Sequence, residues 1–550
     1  MFRRMLAFIK SCWHRDKSAF VYAALMLLAC LLVRELFFVT GAGLQSAEEK
    51  AVTENVRSEA KVTYGQINII PGDITDRKGT LLVSSKAASD PGNYRDAEAY
   101  TQAIGFSNRM GDYLMAGDAD VKAWRYDAAN NTDKGCTVQT TLDADLQEYA
   151  YSYLKGVCDG QGGGNEGSLV VMDAKTGAVL TWAFYPSFDA NRLMEDYEAA
   201  RAKAKGETET AGEEGETEAE TGETAAETET AAEISDDWRV AARDNFGCTL
   251  YPMLSPRMPG SIFKIVTSIG LIETGPSALD TPVYDDTGYL DVDGTELYNV
   301  SRVPEGEIYF QRAFVDSINV YFAKKAIEDI GKGRLDEVAD RCGMDKTLTF
   351  DFGRMNSSYS FNNDRRELAR TAIGQQNVQM SAMHVAMLTQ GISAGGTAAL
   401  PHMLGEVSRT VKGGMDSNGE AAYSKGELLK NETVDTAYMK LCSSEAANII
   451  GEAMTVKGQT LAEKYSGQLE ADAASMRIAC KTGTAEIDNS YGGYSGYNNI
   501  WLTSYAPADD PRYVVVLNRY YVDSQSDNSN GETLYKDLVK VYDRLLNEGE

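Results

Sequence analysis

The stretch Tyr251-Pro-Met-Leu-Ser-Pro-Arg-Met-Pro-Gly-Ser-Ile-Phe-Lys-Ile-Val-Thr-Ser-Ile-Gly270 decides how the rest of the chain is read. Pro259 and Gly260 break the backbone. Ile262, Ile265, Val266 and Ile269 then recur at helical spacing, which predicts a buried helix beginning at or just after Gly260. Ser261 falls in its first turn and Lys264 three residues on, so both side chains share one face. A serine hydroxyl is a poor nucleophile until a nearby base takes its proton. Lysine can be that base only when burial, a second cation or the positive end of a helix lowers its pKa. The pattern therefore points to a Ser-Lys nucleophile, a variant of triad logic.

Four residues alone are weak evidence. Ser58-Glu-Ala-Lys61 and Ser152-Tyr-Leu-Lys155 match the same pattern. The first lies in a polar stretch. The second sits late in an amphipathic run and reads as helix surface.

The chain has 550 residues, enough for two or three domains, and a net charge of -28 with no basic stripe that would mark nucleic acid as a partner. Residues 206–233 alone contribute eleven Glu and no Lys or Arg. Eight Cys are scattered without a Cys-x-x-Cys, so neither a disulfide framework, a metal site nor a cofactor is expected. Only His14, His384 and His402 are available, which also favours a lysine base.

Basic residues between Arg3 and Lys17 precede an apolar run from Ala19. Extended to Val39 it spans about 20 residues and about 30 Å as a helix, the thickness of a bilayer core. Residues 18–40 are read as a transmembrane anchor, 1–17 as a cytoplasmic tail, and the remainder as extracytoplasmic. A cleaved signal peptide is the alternative; the long charged leader and the lack of an Ala-x-Ala site favour a retained anchor. Residues 41–135 read as a stalk and a small pedestal or dimerisation-like domain, with a hairpin around Asp76–Gly79.

From Cys136 a second domain is expected to run to 550. Val138–Leu142 reads as a strand and Asp143–Leu154 as a helix. Residues 167–183 read as two strands around Asp173-Ala-Lys-Thr-Gly177. Residues 200–236 are low-complexity Glu, Thr, Ala and Gly, expected to form a disordered acidic insert. Helices are expected at 314–327, after Gly374-Gln-Gln-Asn377, at 445–456 and at 532–546. Strands are expected at 476–484, 500–505 and 513–518. Strands flanked by helices at both ends predict an α/β or α+β sandwich.

Serine-lysine chemistry on a peptide also needs a proton shuttle and groups that hold the substrate. Ser317-Ile-Asn319 offers a hydroxyl and an amide. Lys481-Thr-Gly-Thr484 offers an ammonium and two hydroxyls, with Gly483 permitting close approach. Strand alternation places Lys481 and Gly483 on one face and Thr482 and Thr484 on the other, which weakens this reading. Ser360-Phe-Asn362, Ser526-Asp-Asn528 and Lys175-Thr-Gly177 are decoys. Order and context single out Ser261-x-x-Lys264, Ser317-x-Asn319 and Lys481-Thr-Gly483.

These boxes, as Pro-Gly-Ser-Ile-Phe-Lys264, Asp-Ser-Ile-Asn319 and Lys-Thr-Gly-Thr-Ala-Glu486, resemble those of class B penicillin-binding proteins. The likeness extends to Gly72-Asp-Ile-Thr-Asp-Arg-Lys-Gly79, Thr140–Gln147, Pro186–Asn191 and Ala372-Ile-Gly-Gln-Gln376, and the short pedestal resembles the PbpA-like subgroup. The resemblance implies a D,D-transpeptidase fold, an antiparallel sheet sandwiched by helices. It implies that Ser261 attacks the D-Ala-D-Ala carbonyl of a peptidoglycan stem peptide, with Lys264 as base. Ser317, aided by Lys481, would relay the proton to the leaving D-Ala. Asn319 would bind the substrate amide, and Thr482, Gly483 and Thr484 with Lys481 the substrate's terminus. The N–H groups of Ser261 and Thr484 would form the oxyanion hole. It further implies acylation by β-lactams and a polytopic SEDS-type (shape-elongation-division-sporulation) glycosyltransferase partner in the membrane. Two other readings remain open here: a D,D-carboxypeptidase or β-lactamase on the same scaffold, and a catalytically idle β-lactam sensor or scaffold.

Overall fold

In the computed structural model, residues 69–550 are described except for 86–92, 105, 109–110, 114–123, 126–132, 160–163, 165, 190–191, 193–255, 352, 363, 416–420, 432–437, 489–493 and 548–550. The expected anchor at 18–40 and the acidic insert at 200–236 lie outside the described residues. Among those described, no helix is long and apolar enough to cross a membrane.

Asp76 organises the start of the fold. Its Oδ1 accepts from the N–H groups of Lys78 and Thr80, which closes the turn between β1 (Ile74–Thr75) and β2 (Leu81–Ser84). Its Oδ2 accepts from Ala144 N at 3.2 Å. One buried carboxylate thus joins the expected hairpin to the first turn of a distant helix. β1 also pairs in parallel with β4 (Thr137–Thr140), after the short β3 (Asn93–Tyr94) has paired with β2. Helix α1 (Ala144–Cys158) follows, capped by Asp143, whose side chain accepts from Leu146 N. Gln147, buried in α1, donates to Ala99 O and Trp182 O and accepts from Trp182 N. Ser152 and Lys155 are exposed on α1, and Lys155 pairs with Glu98.

The two apolar strands read around Asp173–Gly177 are β5 (Glu166–Asp173) and β6 (Val179–Tyr185), paired antiparallel. Asp173 Oδ1 accepts from Lys175 N, Thr176 N and Thr176 Oγ1, so Lys175-Thr-Gly177 is a hairpin turn. The chain then forms a single 3-10 turn, Gly260–Phe263, running into α2 (Lys264–Ile272). The one helix expected over 314–327 is two: α3 (Phe310–Val315) and α4 (Asn319–Lys325), the latter continuing as a π turn to Ile330. Ser317 separates them at φ +58°, a left-handed conformation rare for a residue with a side chain. Helix α5 (Ala382–Ser393) is buried along almost its whole length.

A long hairpin that hydrophobic periodicity does not reveal follows, β7 (Leu404–Met415) and β8 (Ala421–Asn431). It joins the N-terminal strands in a six-stranded sheet ordered β8-β7-β4-β1-β2-β3, so that sheet pairs strands hundreds of residues apart in the chain. Helix α6 (Ser444–Tyr465) runs nine residues beyond the expected end at Val456. In place of a strand starting at Met476 there is a short helical turn, Ala473–Met476. Arg477 reverses the chain at φ +50° into β9 (Ala479–Asp488). β10 (Tyr494–Ala506), β11 (Tyr513–Asp523) and the closing helix α7 (Tyr535–Asn547) complete the fold.

The central sheet is antiparallel throughout, in the order β9-β10-β11-β5-β6. Adjacent residues of β10 point to opposite faces, and each face meets a helix. Thr503 Oγ1 meets Thr389 Oγ1 of α5 at 2.6 Å, and Ser504 Oγ meets the Tyr542 hydroxyl of α7 at 3.1 Å. The sheet is therefore sandwiched, as the sequence predicts, and its strands are largely buried on both faces, with polar side chains among the apolar ones. β9 is one of its two edge strands.

α6 lies against β9 so closely that a Cβ on Gly458 would stand 1.7 Å from Ile478 O. Gly458→Ala is expected to destabilise the fold by about 1–3 kcal/mol through overpacking. Gly156→Ala, in α1 where a Cβ meets nothing within 4 Å, should add about 0.5–1 kcal/mol. Thermal unfolding of the two variants checks the contrast; equal behaviour would refute the close approach.

Candidate active site

Three separate stretches meet at the β9 edge. The Pro259–Phe263 turn is held from several sides. Gly260 N donates to Gly374 O, and Trp501 Nε1 donates to Met258 O at 2.9 Å. Arg257 exchanges both backbone bonds with Met380 and pairs with Glu166 at 3.0 Å. Gly260 and Gly374 both have positive φ, and a Cβ on Gly374 would lie 1.9 Å from Gly260 O. A Cβ on Gly260 would lie 2.6 Å from Thr484 O, and one on Gly483 would lie 2.6 Å from Pro259 O. Only glycine backbones let the turn and the strand approach this closely. Ser261, half-buried, follows Gly260 directly in the turn.

Lys264 opens α2 and is fully buried. Its Nζ lies 2.7 Å from Ser317 O, 2.8 Å from Asn319 Oδ1 and 3.2 Å from Ser317 Oγ. A neutral amine has two N–H groups and one lone pair. The two oxygens that can only accept match the two N–H groups, and the lone pair is left for a hydroxyl proton. Asn319 is itself fixed, because its Nδ2 donates to Tyr298 O at 2.9 Å. Behind it, Asn299 accepts from Val320 N and donates to Asp285, which secures the first turn of α4.

Lys481 is also fully buried. Its Nζ lies 2.9 Å from Ser317 Oγ and 3.1 Å from Thr482 O. The Ser317 hydroxyl therefore stands between two amines. Neither amine faces a carboxylate at ion-pair distance among the described residues; the ring of Phe322 lies 5.3 Å from Lys264 Nζ and that of Phe314 5.4 Å from Lys481 Nζ. Burial first, and then the charge of Lys481, holds Lys264 well below the ordinary lysine range. Burial, and then Lys457, brings Lys481 down to about 7.

The structure thus brings Lys264, Ser317, Asn319 and Lys481 into direct contact, with Ser261 in the turn packed against Gly483 and Thr484. Alternation on β9 holds as expected. Thr484 Oγ1 accepts from Gly531 N at 3.2 Å, on the side where the 3-10 turn Gly531–Leu534 packs. Thr482 is buried beside Lys481. Pattern reasoning missed the two aromatic rings and Trp501; Phe314, three residues before Ser317, is the one signal that helical spacing offered.

The arrangement is that of a serine acyl-transfer site on a helix-sandwiched antiparallel sheet, and comparison with known proteins agrees. Residues 167–540 match the penicillin binding protein transpeptidase domain. The chain therefore belongs to the penicillin-binding protein transpeptidase family. It is similar to peptidoglycan D,D-transpeptidase PbpA of Mycolicibacterium smegmatis, with 22% identity over 92% of each chain. It is 27% identical to stage V sporulation protein D of Bacillus subtilis over 48% of this chain and 38% of that one. Among solved structures it resembles penicillin-binding protein A of M. tuberculosis in a ceftriaxone acyl-enzyme complex: 20% identity, 87% of this chain, 98% of that chain, TM-score 0.63.

The Lys481 amine is neutral in the folded chain above pH of about 7, whereas the unfolded chain keeps it protonated up to 10.5. The unfolded state then binds more protons, so this group's contribution to stability rises with pH across that window. Lys481→Met should exceed the wild type in thermal stability most below pH of about 7, with the difference closing as pH approaches 10. A difference that stays constant with pH in thermal unfolding would refute the depressed amine.

Proposed function

We propose that the chain is a peptidoglycan D,D-transpeptidase that crosslinks stem peptides through an acyl-enzyme on Ser261. The observation that carries this is the Ser317 hydroxyl held between two buried amines beside the Ser261 turn. In this reading Ser261 Oγ attacks the D-Ala-D-Ala carbonyl and its proton passes to the Lys264 amine. The N–H groups of Ser261 and Thr484 receive the oxyanion, worth roughly 3–4 kcal/mol per donor. As the tetrahedral adduct collapses, Ser317, backed by Lys481, delivers a proton to the departing D-Ala. Lys264 then passes to Ser317 the proton it took, across their 3.2 Å contact. The amine of a neighbouring stem peptide attacks the ester carbonyl and gives up a proton as the crosslinking amide forms; the Ser261 oxygen leaves and takes that proton.

Substrate positioning falls to the remaining residues. Asn319 binds the substrate amide. Lys481 with Thr482, Gly483 and Thr484 holds the terminal carboxylate. Thr484 accepts its bond from Gly531, so its own O–H remains available to donate. β-Lactams acylate Ser261 as mimics of the dipeptide terminus.

The same proposal includes residues 18–40 as a single-pass anchor in the bacterial cytoplasmic membrane, with the catalytic domain outside. It places a pedestal at 41–135 ahead of the transpeptidase domain at 136–550, and a SEDS-type glycosyltransferase as membrane partner. What supports the anchor is the length and basic leader of the apolar run.

A fluorescent penicillin is expected to label the wild type covalently at a peptide containing Ser261, with Ser261→Ala unlabelled and Lys264→Met slowed by at least about 100-fold. Labelling that survives Ser261→Ala would overturn the assignment. Label that is lost within seconds would report a β-lactamase instead.

A further inference from the structure

Lys457 belongs to none of the three site segments, yet only 4% of it is exposed. It lies in the middle of α6, next to Gly458, at the point where that helix presses on Ile478, three residues before Lys481. Its Nζ pairs with Glu532 Oε1 at 2.5 Å. The other oxygen of that carboxylate takes Lys464 at 2.6 Å, on the exposed side. Glu532 is held by its own turn. The Asn530 side chain accepts from Glu532 N, and Gly531 N donates to Thr484 Oγ1. A Cβ on Gly531 would lie 2.4 Å from Gly483 O. Thus α6, the 530–534 turn and β9 converge directly behind the Lys481-Thr-Gly483 segment.

A buried ion pair is weak evidence for stability, since an apolar pair of similar volume commonly serves as well. The charges here also do not cancel: two ammonium groups share one carboxylate. We propose that Lys457, held by Glu532 where α6 and the 530–534 turn pack behind β9, is a positioning residue for acylation that acts through the Lys481-Thr-Gly483 segment facing Ser317. This rests on reading Lys481 as part of the acylation machinery.

The groups that face Lys481 come from every packed element: Lys264 from α2, Asp316 from the α3–α4 break, Lys457 from α6, Glu532 from the turn, and the neighbouring Cys480. Lys457 acts on it most strongly and downward, whereas Cys480, Glu532 and Asp316 oppose it. Facing Lys457 itself are Glu532, Cys480 and Lys481, with Lys464 beyond the carboxylate.

The signs yield a signature that packing alone cannot. Removing the cation makes Lys481 harder to deprotonate; removing the carboxylate makes it easier. The test is the second-order rate of labelling of the full chain by a fluorescent penicillin, from about pH 5.5 to about pH 9.5. Lys457→Met should move the limb that belongs to Lys481 to higher pH by roughly half a unit to one unit. Glu532→Gln should move the same limb to lower pH, and Lys457→Arg should leave it in place. These directions hold whether the neutral or the charged form of Lys481 is the active one.

Profiles of Lys457→Met and Glu532→Gln that stay put, or that move the same way, overturn the proposal. A purely structural role lowers the rate at every pH without moving a limb. Should Lys457→Met fail to fold by thermal unfolding, Glu532→Gln decides: a limb that stays or rises overturns the proposal. No label on the wild type at any pH is a different result, and it removes the acyl-enzyme reading along with this one.

Discussion

Ser317 Oγ stands 3.2 Å from one lysine amine and 2.9 Å from another, and both amines are sealed from water. Sharing one hydroxyl at these distances, the two amines are at most about 6 Å apart, and two unit charges there at an effective dielectric of about 20 repel by at least roughly 3 kcal/mol; burial adds to this. Proteins relieve such a conflict by giving up a proton or by supplying a carboxylate. Here the near partners are neutral: Ser317 O, Asn319 Oδ1, Thr482 O and two aromatic faces. A carboxylate in contact would favour the charged form. The site is polar enough to orient the amines and too poor in negative charge to hold them in the ordinary lysine range.

That requirement explains local features that otherwise look costly. A left-handed serine costs on the order of 1–3 kcal/mol, and the surroundings must impose it. Ile318 N bonds back to Ala313 O, and the Ser317 carbonyl accepts from Lys264. The helix break therefore turns both oxygens of Ser317 toward the amines, which a continuous helix over 314–327 could not do. Likewise, the glycines at 260, 374 and 483 are the means by which a turn, a loop and an edge strand come within backbone contact. The edge position of β9 also matters. An interior strand would have both neighbours in the sheet and no side open to the Ser261 turn.

Much of this was legible in the chain itself. The Ser261 helix, the β5–β6 hairpin and the sandwich of helices on an antiparallel sheet follow from apolar periodicity, because those elements are deeply buried and period is then a strong signal. The three boxes were legible as one group, which the fold brings together at Ser317. What escaped is instructive. The break at Ser317 is invisible to helical spacing, since Phe314, Ile318 and Phe322 keep the period across it. The β7–β8 hairpin is half-exposed, with Val411, Met415 and Leu428 open to solvent, so its faces do not alternate cleanly. Its place beside β4 is a long-range pairing that no local pattern encodes. Lys457 escaped because the expected helix stopped at Val456, one residue short of it.

The scarcity of histidine gives a final argument about the base. His384 is buried in α5, with Nε2 2.7 Å from Cys342 O, and the structure spends it on joining α5 to the end of the helix at 331–341. Burial also holds it below its ordinary pKa. His402 contributes its backbone to the Gly177 end of the β5–β6 hairpin, where its N–H donates to Gly177 O and its carbonyl accepts from Val179 N. Among the described residues, no imidazole is placed to take a proton from Ser261. An amine must then be neutral near physiological pH, and an exposed lysine cannot meet that condition. Full burial beside a second cation can, and that is the setting in which α2 holds Lys264.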